Sequence, residues 1–276
     1  MSAQVFARGE PTPGDAANSA KDEPVSDGST ILATRRLALY YGKFAAVGGV
    51  DLDLKSNTLH SLIGPNGAGK TSLFNVISGR IPASRGSISF DGRDITRLPA
   101  RDRAKLGMAR SFQITSLFPE STVMDNLRLA SMGIDSARAF GFWRTWVRET
   151  EHLLEVDLVL RELGLSRYAH SMVNSLAQGV QRVVEIAMCL VAKPRLLLLD
   201  EPLAGLGMAD VPRIAELLQQ LKSRYTVLLV EHNMRVVMQI SDRITVMFQG
   251  TVLAEGTPQH MRENAEVRRV YLGSQS

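Results

Sequence analysis

The chain has 276 residues, of which 45% are hydrophobic, and its 32 Lys and Arg nearly balance its 28 Asp and Glu, which leaves a net charge of +4. This length and composition predict a soluble globular protein with a full α/β core and room for a small second subdomain. The charge forms no dense basic block with interleaved aromatics, so the sequence argues against nucleic acid as a partner.

Membrane and disulfide signals are weak. The longest uninterrupted apolar stretch, Ile186 to Val191, is far shorter than a membrane-spanning helix, and the N-terminal region lacks the apolar core of a signal peptide. We therefore expect any contact with a membrane to be made through a partner. The single cysteine, Cys189, suits a reducing cytoplasm and is expected to be a small core residue, with a reactive thiol as the alternative.

The first segment, residues 1–29, carries several Pro and Gly residues among small and polar ones. It offers too little apolar surface to offset the entropy of ordering, so we expect a disordered N-terminal tail. From Ile31 onward, short β-like runs alternate with helical patterns. Residues 86–92 indicate part of a hairpin, whereas 195–199 and 226–230 indicate buried strands. This alternation favours a parallel, doubly wound sheet.

A glycine-rich turn follows the apolar run 58–63 and precedes a helical pattern over 72–77. The turn fills the pattern of a phosphate-binding P-loop, with glycines that let successive N–H groups converge on phosphate oxygens at a helix N-terminus. Lys70 is expected to reach the β and γ phosphates, and the Thr71 hydroxyl to bind Mg²⁺. The alternative is a flexible Gly-rich turn without a ligand. The expected nucleotide-binding residues here are Gly64, Pro65, Asn66, Gly67, Ala68, Gly69, Lys70, Thr71 and Ser72.

The segment between about Ile114 and Val180 shows no strand signal, and apolar residues such as Trp143, Trp146 and Leu158 recur in it at helical spacing. We interpret it as an inserted helical subdomain.

A second part of the site is predicted where the apolar run 196–199 ends in Asp200 and Glu201. A strand buried on both faces is continuously apolar, and its C-terminal end lies at the sheet edge where open α/β sheets bind ligands. Asp200 is expected to hold Mg²⁺ through its water shell, and Glu201 to polarise the water that attacks the γ-phosphate. On its own, an apolar run that ends in Asp-Glu is weak evidence for a nucleotide site, but together with the P-loop it is strong evidence.

Five motifs together resemble an ABC-type ATPase: the turn at 64–71, Gln113 in the run 110–113, the run 176–182, the Asp200-Glu201-Pro202 segment and His232. More closely, the runs 204–206, 231–234, 240–243 and 270–273 resemble the ATP-binding subunit of branched-chain amino acid importers. The resemblance implies a P-loop ABC-type nucleotide-binding domain of the α/β class, with a RecA-like parallel sheet core, an antiparallel β edge and an inserted helical subdomain. The implied boundaries are 30–112 and 182–276 for the core and 113–181 for the helical subdomain.

The resemblance also assigns roles to single residues. Tyr41 is similar to the aromatic that stacks on adenine, with a core position for Tyr41 and a competing role for Tyr40 as alternatives. Gln113 is similar to the residue that approaches Mg²⁺ and the attacking water, and it opens the segment that in the family docks on membrane subunits. His232 is similar to the switch histidine that hydrogen-bonds the γ-phosphate; without the family it would be interpreted as a strand-end histidine.

Gly179 is similar to the signature glycine, whose N–H meets the ATP held by an opposite subunit. Three positions depart from the family pattern: Ala177 replaces the usual serine, Val180 the usual glutamine and Gly207 the usual aspartate. The Ala177 departure also fits the branched-chain importer subgroup. The Gly207 departure removes a carboxylate that in the family crosses the interface between the two ATPase subunits.

These patterns predict an ATP-hydrolysing subunit, with ATP and Mg²⁺ as cofactors, that powers an importer for branched-chain amino acids or related small polar solutes. Its expected partners are a second ABC ATPase subunit, two integral membrane permease subunits and, indirectly, a periplasmic solute-binding protein. The expected location is the cytoplasmic face of the inner membrane. A lipid or lipopolysaccharide exporter and a soluble non-transport ABC ATPase are the alternatives.

Overall fold

The computed structural model describes residues 28–111, 117–133 and 153–272. The strands in these ranges are β1 (Thr30–Tyr41), β2 (Phe44–Lys55), β3 (Leu59–Ile63), β4 (Arg85–Phe90), β5 (Arg93–Asp94), β6 (Met108–Arg110), β7 (Leu196–Asp200), β8 (Thr226–Val230), β9 (Arg243–Phe248) and β10 (Thr251–Gly256). The helices are α1 (Lys70–Ile77), α2 (Ala100–Lys105), α3 (Val123–Gly133), α4 (153–162), α5 (Gln178–Leu190), α6 (Asp210–Leu221), α7 (Met234–Ile240), α8 (Pro258–Glu263) and α9 (Ala265–Leu272).

The strands form two sheets. The larger has the order β10-β9-β3-β8-β7-β6, in which β10 pairs antiparallel at one edge and the other neighbours pair parallel. The smaller sheet is antiparallel, with the order β2-β1-β4-β5. The predicted parallel sheet and antiparallel β edge are therefore confirmed, and so is the hairpin, because Phe90 of β4 pairs with Arg93 of β5 across Asp91 and Gly92.

Both faces of the larger sheet are covered. Along β7, Leu197 and Leu199 pack into the core beneath α5 and α6, whereas Leu196 and Leu198 pack into a second core that contains α1 and the smaller sheet. All five residues of β3, β7 and β8 are buried. Since successive side chains of a strand point to opposite faces, a strand covered on both sides has to be apolar throughout, as the predicted strands are.

Helix α1, which follows the glycine-rich turn, is fixed at its C-terminal end by Arg103. The Arg103 side chain is buried and donates hydrogen bonds to the carbonyl oxygens of Val76 and Ile77, at 2.8 and 2.6 Å, and to those of Leu98 and Thr96. The last carbonyls of a helix have no partner within the helix, so this guanidinium satisfies two of them and holds α1 against the segment 96–103.

The boundaries differ from the sequence prediction in two places. The predicted tail reaches residue 29, but the Ser29 carbonyl accepts the N–H of Ser56 at 3.0 Å, so Ser29 belongs to the folded part. The strand predicted at 195–199 is shifted by one residue, because Asp200 still pairs with Val230 in the ladder. Residues 1–27, 112–116, 134–152 and 273–276 lie outside the described residues, and with them most of the tail, Gln113, Trp143 and Trp146.

The described residues between β6 and β7 form helices and 3₁₀ turns, with no named strand among them. Leu158, which belongs to the predicted helical spacing, lies on α4 and is 60% exposed. In the ranges that the structure covers, no helix has both the length and the apolar character needed to cross a bilayer.

Candidate functional site

The glycine-rich turn joins the buried strand β3 to α1 and passes close to two other backbone segments. A Cβ atom on Gly64 would lie 2.3 Å from the Met247 carbonyl oxygen, and one on Gly69 would lie 2.3 Å from that of Ala46. Gly69 also has a φ of 96°, a conformation that side chains disfavour. Both positions therefore require glycine, and α1 begins without a side-chain cap, which leaves its first N–H groups for a ligand.

Lys70 is buried within this turn. Its ammonium donates to the carbonyl oxygens of Gly64, at 2.7 Å, and Pro65, at 3.0 Å, so the side chain folds back along the loop. Burial lowers the pKa of Lys70 below its ordinary value, and the charges of Glu201 and Asp200 act in the opposite direction. The two carboxylates are thus close enough to the lysine to affect its pKa, although they lie 130 and 131 residues further along the chain.

Sheet register explains this proximity. Strand β8 lies between β3 and β7 and pairs in parallel with both: Val230 is opposite Leu62 on one side and Asp200 on the other. Because parallel strands end at the same edge of a sheet, the turn after β3 and the acids at the end of β7 meet there. This is the arrangement that the sequence predicts.

Asp200 is the last residue of β7 rather than the first residue after it, and its side chain has no solvent exposure. Its Oδ2 atom lies 3.3 Å from Nη2 of Arg110, and its backbone N–H donates to the Ser111 hydroxyl at 3.2 Å. Burial raises the pKa of Asp200 above the ordinary value, although Arg110 acts in the opposite direction. Oδ1 is buried and has no hydrogen-bond partner among the described residues.

That unpartnered oxygen fits a divalent cation. Thr71, the second residue of α1, is exposed and carries a hydroxyl at the end of the glycine-rich turn. The described ranges contain no group of three or more His, Cys, Asp or Glu that could hold a metal alone. Mg²⁺ in nucleotide sites is held by one or two protein oxygens together with phosphates and water, so Asp200 and Thr71 suit it.

Arg110 links Asp200 to the P-loop helix, and the sequence analysis gave it no role. One of its terminal nitrogens donates to Asn75 Oδ1 and to the Ser78 hydroxyl, each at 2.7 Å, and its guanidinium lies 4.7 Å from the centre of the Phe74 ring. Arg110 stands in the same motif run as Gln113. Its pairing with Asp200 depends on β6 lying beside β7, which no local sequence pattern indicates.

Glu201 and His232 come together beyond the strand ends. The Glu201 side chain is one-third exposed, and its backbone has a φ of 49°, in the left-handed region that non-glycine residues rarely adopt. The His232 Nδ1 atom lies 4.0 Å from Glu201 Oε1 and 4.0 Å from Glu231 Oε2. Two of the three residues predicted to act in catalysis are therefore neighbours, whereas the third, Gln113, lies outside the described residues; Glu231 is a further group beside them, for which no role was predicted.

Tyr41 ends β1 and is 53% exposed, so the alternative core position is wrong for it. Tyr40 is 40% exposed and lies beneath Arg85, 5.8 Å from the guanidinium carbon to the ring centre. Tyr41 pairs across the hairpin with Phe44, another exposed ring. Both tyrosines thus remain available to a ligand.

Gly179 is the second residue of α5 and is buried. A Cβ atom there would lie 2.4 Å from Oδ1 of Asp210, the first residue of α6. No hydrogen bond in the described part of the chain joins this helix end to the turn at 64–69. Of the departures from the family pattern, Val180 is a core residue, 6% exposed, whereas Gly207 is exposed with nothing within 4 Å of its Cβ position.

A parallel sheet with a glycine-rich turn, a buried lysine and paired acids at one edge defines a P-loop nucleotide-binding domain. Comparison with known sequences narrows the class. The family model described as "ABC transporter" matches residues 47–204, and a model described as "Branched-chain amino acid ATP-binding cassette transporter" matches residues 251–275. The chain belongs to the ABC transporter family of ATP-binding proteins.

Individual relatives of the chain are also ATP-binding proteins of transporters. The "High-affinity branched-chain amino acid transport ATP-binding protein LivG" of Salmonella typhimurium is 40% identical over 249 residues, which cover 88% of this chain and 98% of the relative. The corresponding protein BraF of Pseudomonas aeruginosa is 39% identical with the same coverage. The solved ADP conformation of an ATP-binding cassette of an ABC transporter superposes with a TM-score of 0.79 at 28% identity, covering 89% of this chain and 99% of that one.

Proposed function

We propose that the chain is the ATP-hydrolysing subunit of an ABC importer for branched-chain amino acids or related small polar solutes. The observation that carries the proposal is the convergence of Lys70, Asp200 and Glu201 at one edge of the sheet. The relatives LivG and BraF, whose names describe them as branched-chain amino acid transport ATP-binding proteins, support the substrate class. The match of residues 251–275 to the branched-chain family model supports the same substrate class independently of the nucleotide site.

Each part of the site has a proposed role in turnover. The N–H groups at the start of α1 and the ammonium of Lys70 bind the phosphates, and Tyr41 stacks on the adenine. Asp200 and Thr71 hold Mg²⁺, which when bound neutralises charge on the phosphate oxygens. Glu201 takes the proton of the attacking water, and His232 donates a hydrogen bond to the γ-phosphate. Gln113, outside the described residues, is proposed to approach the cation and the water.

The functional unit is proposed to be a dimer of ATPase subunits. Gly179 is proposed to present its N–H to the ATP of the partner subunit, as the family resemblance implies. Closure on ATP moves the two permease subunits, and hydrolysis reopens the dimer. The helical subdomain at 113–181 transmits the movement, the core at 30–112 and 182–276 binds nucleotide, and the assembly sits on the cytoplasmic face of the inner membrane.

A cavity of about 700 Å³ is proposed to bind a segment of a permease subunit. Its lining is mainly apolar and includes Ala104 and Met108 from α2 and β6, and Ala130 and Met188 from α3 and α5. The cavity therefore lies where the nucleotide-binding core meets the segment that the family resemblance assigns to the membrane subunits.

The chemistry is tested by Glu201→Gln, with Glu216→Gln on the exposed face of α6 as the matched control. We expect Glu201→Gln to lose ATP turnover and to accumulate as a closed dimer with Mg-ATP, because the amide cannot accept the proton of water. The control should behave as the wild type. Turnover of Glu201→Gln at the wild-type rate would remove Glu201 from its role.

The transport assignment is tested by reconstituting the ATPase with its co-purifying membrane subunits in vesicles. Stimulation of ATP hydrolysis by Leu, Ile or Val supports the proposal, and stimulation by urea or short amides alone moves it to another small polar solute. A second candidate, lipopolysaccharide export, is favoured by one relative: the "Lipopolysaccharide export system ATP-binding protein LptB" of Haemophilus influenzae is 34% identical over 247 residues. Co-purification with a permease that works with a periplasmic solute-binding protein would exclude it.

A further inference from the structure

Glu231 is a carboxylate buried beside the catalytic groups. It follows the last residue of β8, and its side chain has no solvent exposure. Burying such a group costs several kcal/mol unless hydrogen bonds replace its water, so a buried glutamate requires specific donors.

The donors are three backbone N–H groups from two separate loops. Oε1 accepts the N–H of Leu203 at 2.9 Å, and Oε2 accepts those of His232 at 3.0 Å and Asn233 at 3.3 Å. Leu203 belongs to the turn after β7, two residues beyond Glu201, whereas His232 and Asn233 begin the turn after β8. Each oxygen therefore holds a different loop.

These are the two loops that carry the proposed base and the proposed switch histidine. His232 Nδ1 lies 4.0 Å from both Glu201 Oε1 and Glu231 Oε2. Glu201 has a backbone conformation that it would not adopt without restraint, since its φ is 49°. The hydrogen bond from Leu203 to Glu231 anchors the turn that contains Glu201, and the bonds from His232 and Asn233 anchor the other turn against the same side chain.

We propose that Glu231 is a positioning residue that sets the distance between Glu201 and His232. This inference rests on the proposed ATPase function. Because the carboxylate is buried and its oxygens are occupied by backbone donors, Glu231 acts through the two loops and does not touch the nucleotide. The P-loop is formed by β3 and α1, so its phosphate contacts do not depend on Glu231.

The test is Glu231→Gln, which keeps the shape of the side chain but turns an NH₂ group toward at least one backbone N–H. Misplacement of catalytic groups by about 1 Å lowers rates on the order of 10²-fold. We expect kcat for ATP to fall tenfold or more, with the affinity for Mg-ADP and the KM for ATP within twofold of wild type. Glu231→Asp, which keeps the charge but is too short to reach both loops, should show the same split if Glu231→Gln fails to fold. Glu216→Gln, on the exposed face of α6, is the control and should change neither kinetic parameter.

A double-mutant comparison separates positioning from general destabilisation. In the His232→Ala background, one of the groups through which Glu231 acts is gone, so adding Glu231→Gln should lower kcat by much less than in the wild type. Full multiplication of the two effects, an unchanged kcat, or a raised KM at constant kcat would each overturn the proposal. If instead Glu201→Gln keeps wild-type turnover, it is the proposed function that fails; if Glu201→Gln is inactive and Glu231→Gln is normal, only the role of Glu231 fails.

Discussion

Replacing Arg110 with Met removes the salt-bridge partner of Asp200 while keeping a long side chain that can pack on Phe74. In the wild type the Arg110 side chain is 11% exposed and that of Asp200 is fully buried. Breaking a buried ion pair from one side costs about 3–5 kcal/mol, because a charge remains buried without compensation. The hydrogen bonds to Asn75 and Ser78 are lost as well, and their cost adds to that of the ion pair whether or not residue 200 carries a charge.

The assay is urea unfolding followed by far-ultraviolet circular dichroism, analysed for the free energy of unfolding at constant denaturant dependence. Asp200→Asn supplies the control, since it removes the buried charge that Arg110 compensates. Arg110→Met should cost less in the Asp200→Asn background than in the wild type, by about 1–3 kcal/mol of coupling. Additive effects of the two substitutions within about 0.5 kcal/mol would show that the ion pair is not what Arg110 contributes.

Two further predictions concern titratable groups whose pKa values are shifted by the fold. The His60 side chain is fully buried and bonded to Thr245 at 2.7 Å, and burial, with the charge of Arg243, lowers its pKa from 6.5 to about 3. Below pH 6.5 His60 is therefore protonated in the unfolded chain but stays neutral in the folded chain. The free energy of unfolding is unaffected by this group above pH 6.5, and it falls by about 2 kcal/mol on acidification to pH 5. Unfolding curves of His60→Gln should lack this component, and an unchanged pH slope would contradict it. Cys189 is partly buried and lines the cavity between the nucleotide-binding core and α5, and burial together with the charge of Glu185 raises its pKa to about 12, so native protein should react with iodoacetamide at pH 8 more slowly than unfolded protein. Since Cys189 is the single cysteine, mass spectrometry of the alkylated chain reads this rate directly, and equal rates would refute the prediction.

The parts of the fold that local sequence determines were predictable. Strands β7 and β8 are continuous apolar runs because both faces are covered, and the turn at 64–69 needs glycine because Met247 and Ala46 approach its backbone. Their meeting at one edge followed from parallel pairing alone. The predicted ends of β7 and of the N-terminal tail were each wrong by one or two residues. Pairing of Asp200 with Val230 extends the strand, and a hydrogen bond from Ser56 to Ser29 extends the folded part toward the N-terminus.

The groups that the sequence analysis missed depend on contacts between distant segments. Arg110 is paired with Asp200 across 90 positions, and Glu231 is joined to Leu203 across 28. Neither residue carries a local signature, because a charged residue at a strand end is ordinarily a solvent-exposed one. Only the tertiary arrangement turns them into buried partners. The roles of Gln113 and Gly179 remain predictions from the family resemblance.

At Glu201 the backbone conformation lowers the stability of the fold, whereas the side chain is the proposed catalytic base. A non-glycine residue in the left-handed region costs of order 1 kcal/mol, which a glycine there would not incur. Selection for thermal stability alone would therefore favour Glu201→Gly or Glu201→Asn, and either substitution removes the carboxylate. Thermostable variants of the chain should accordingly be screened for turnover and not for melting temperature only.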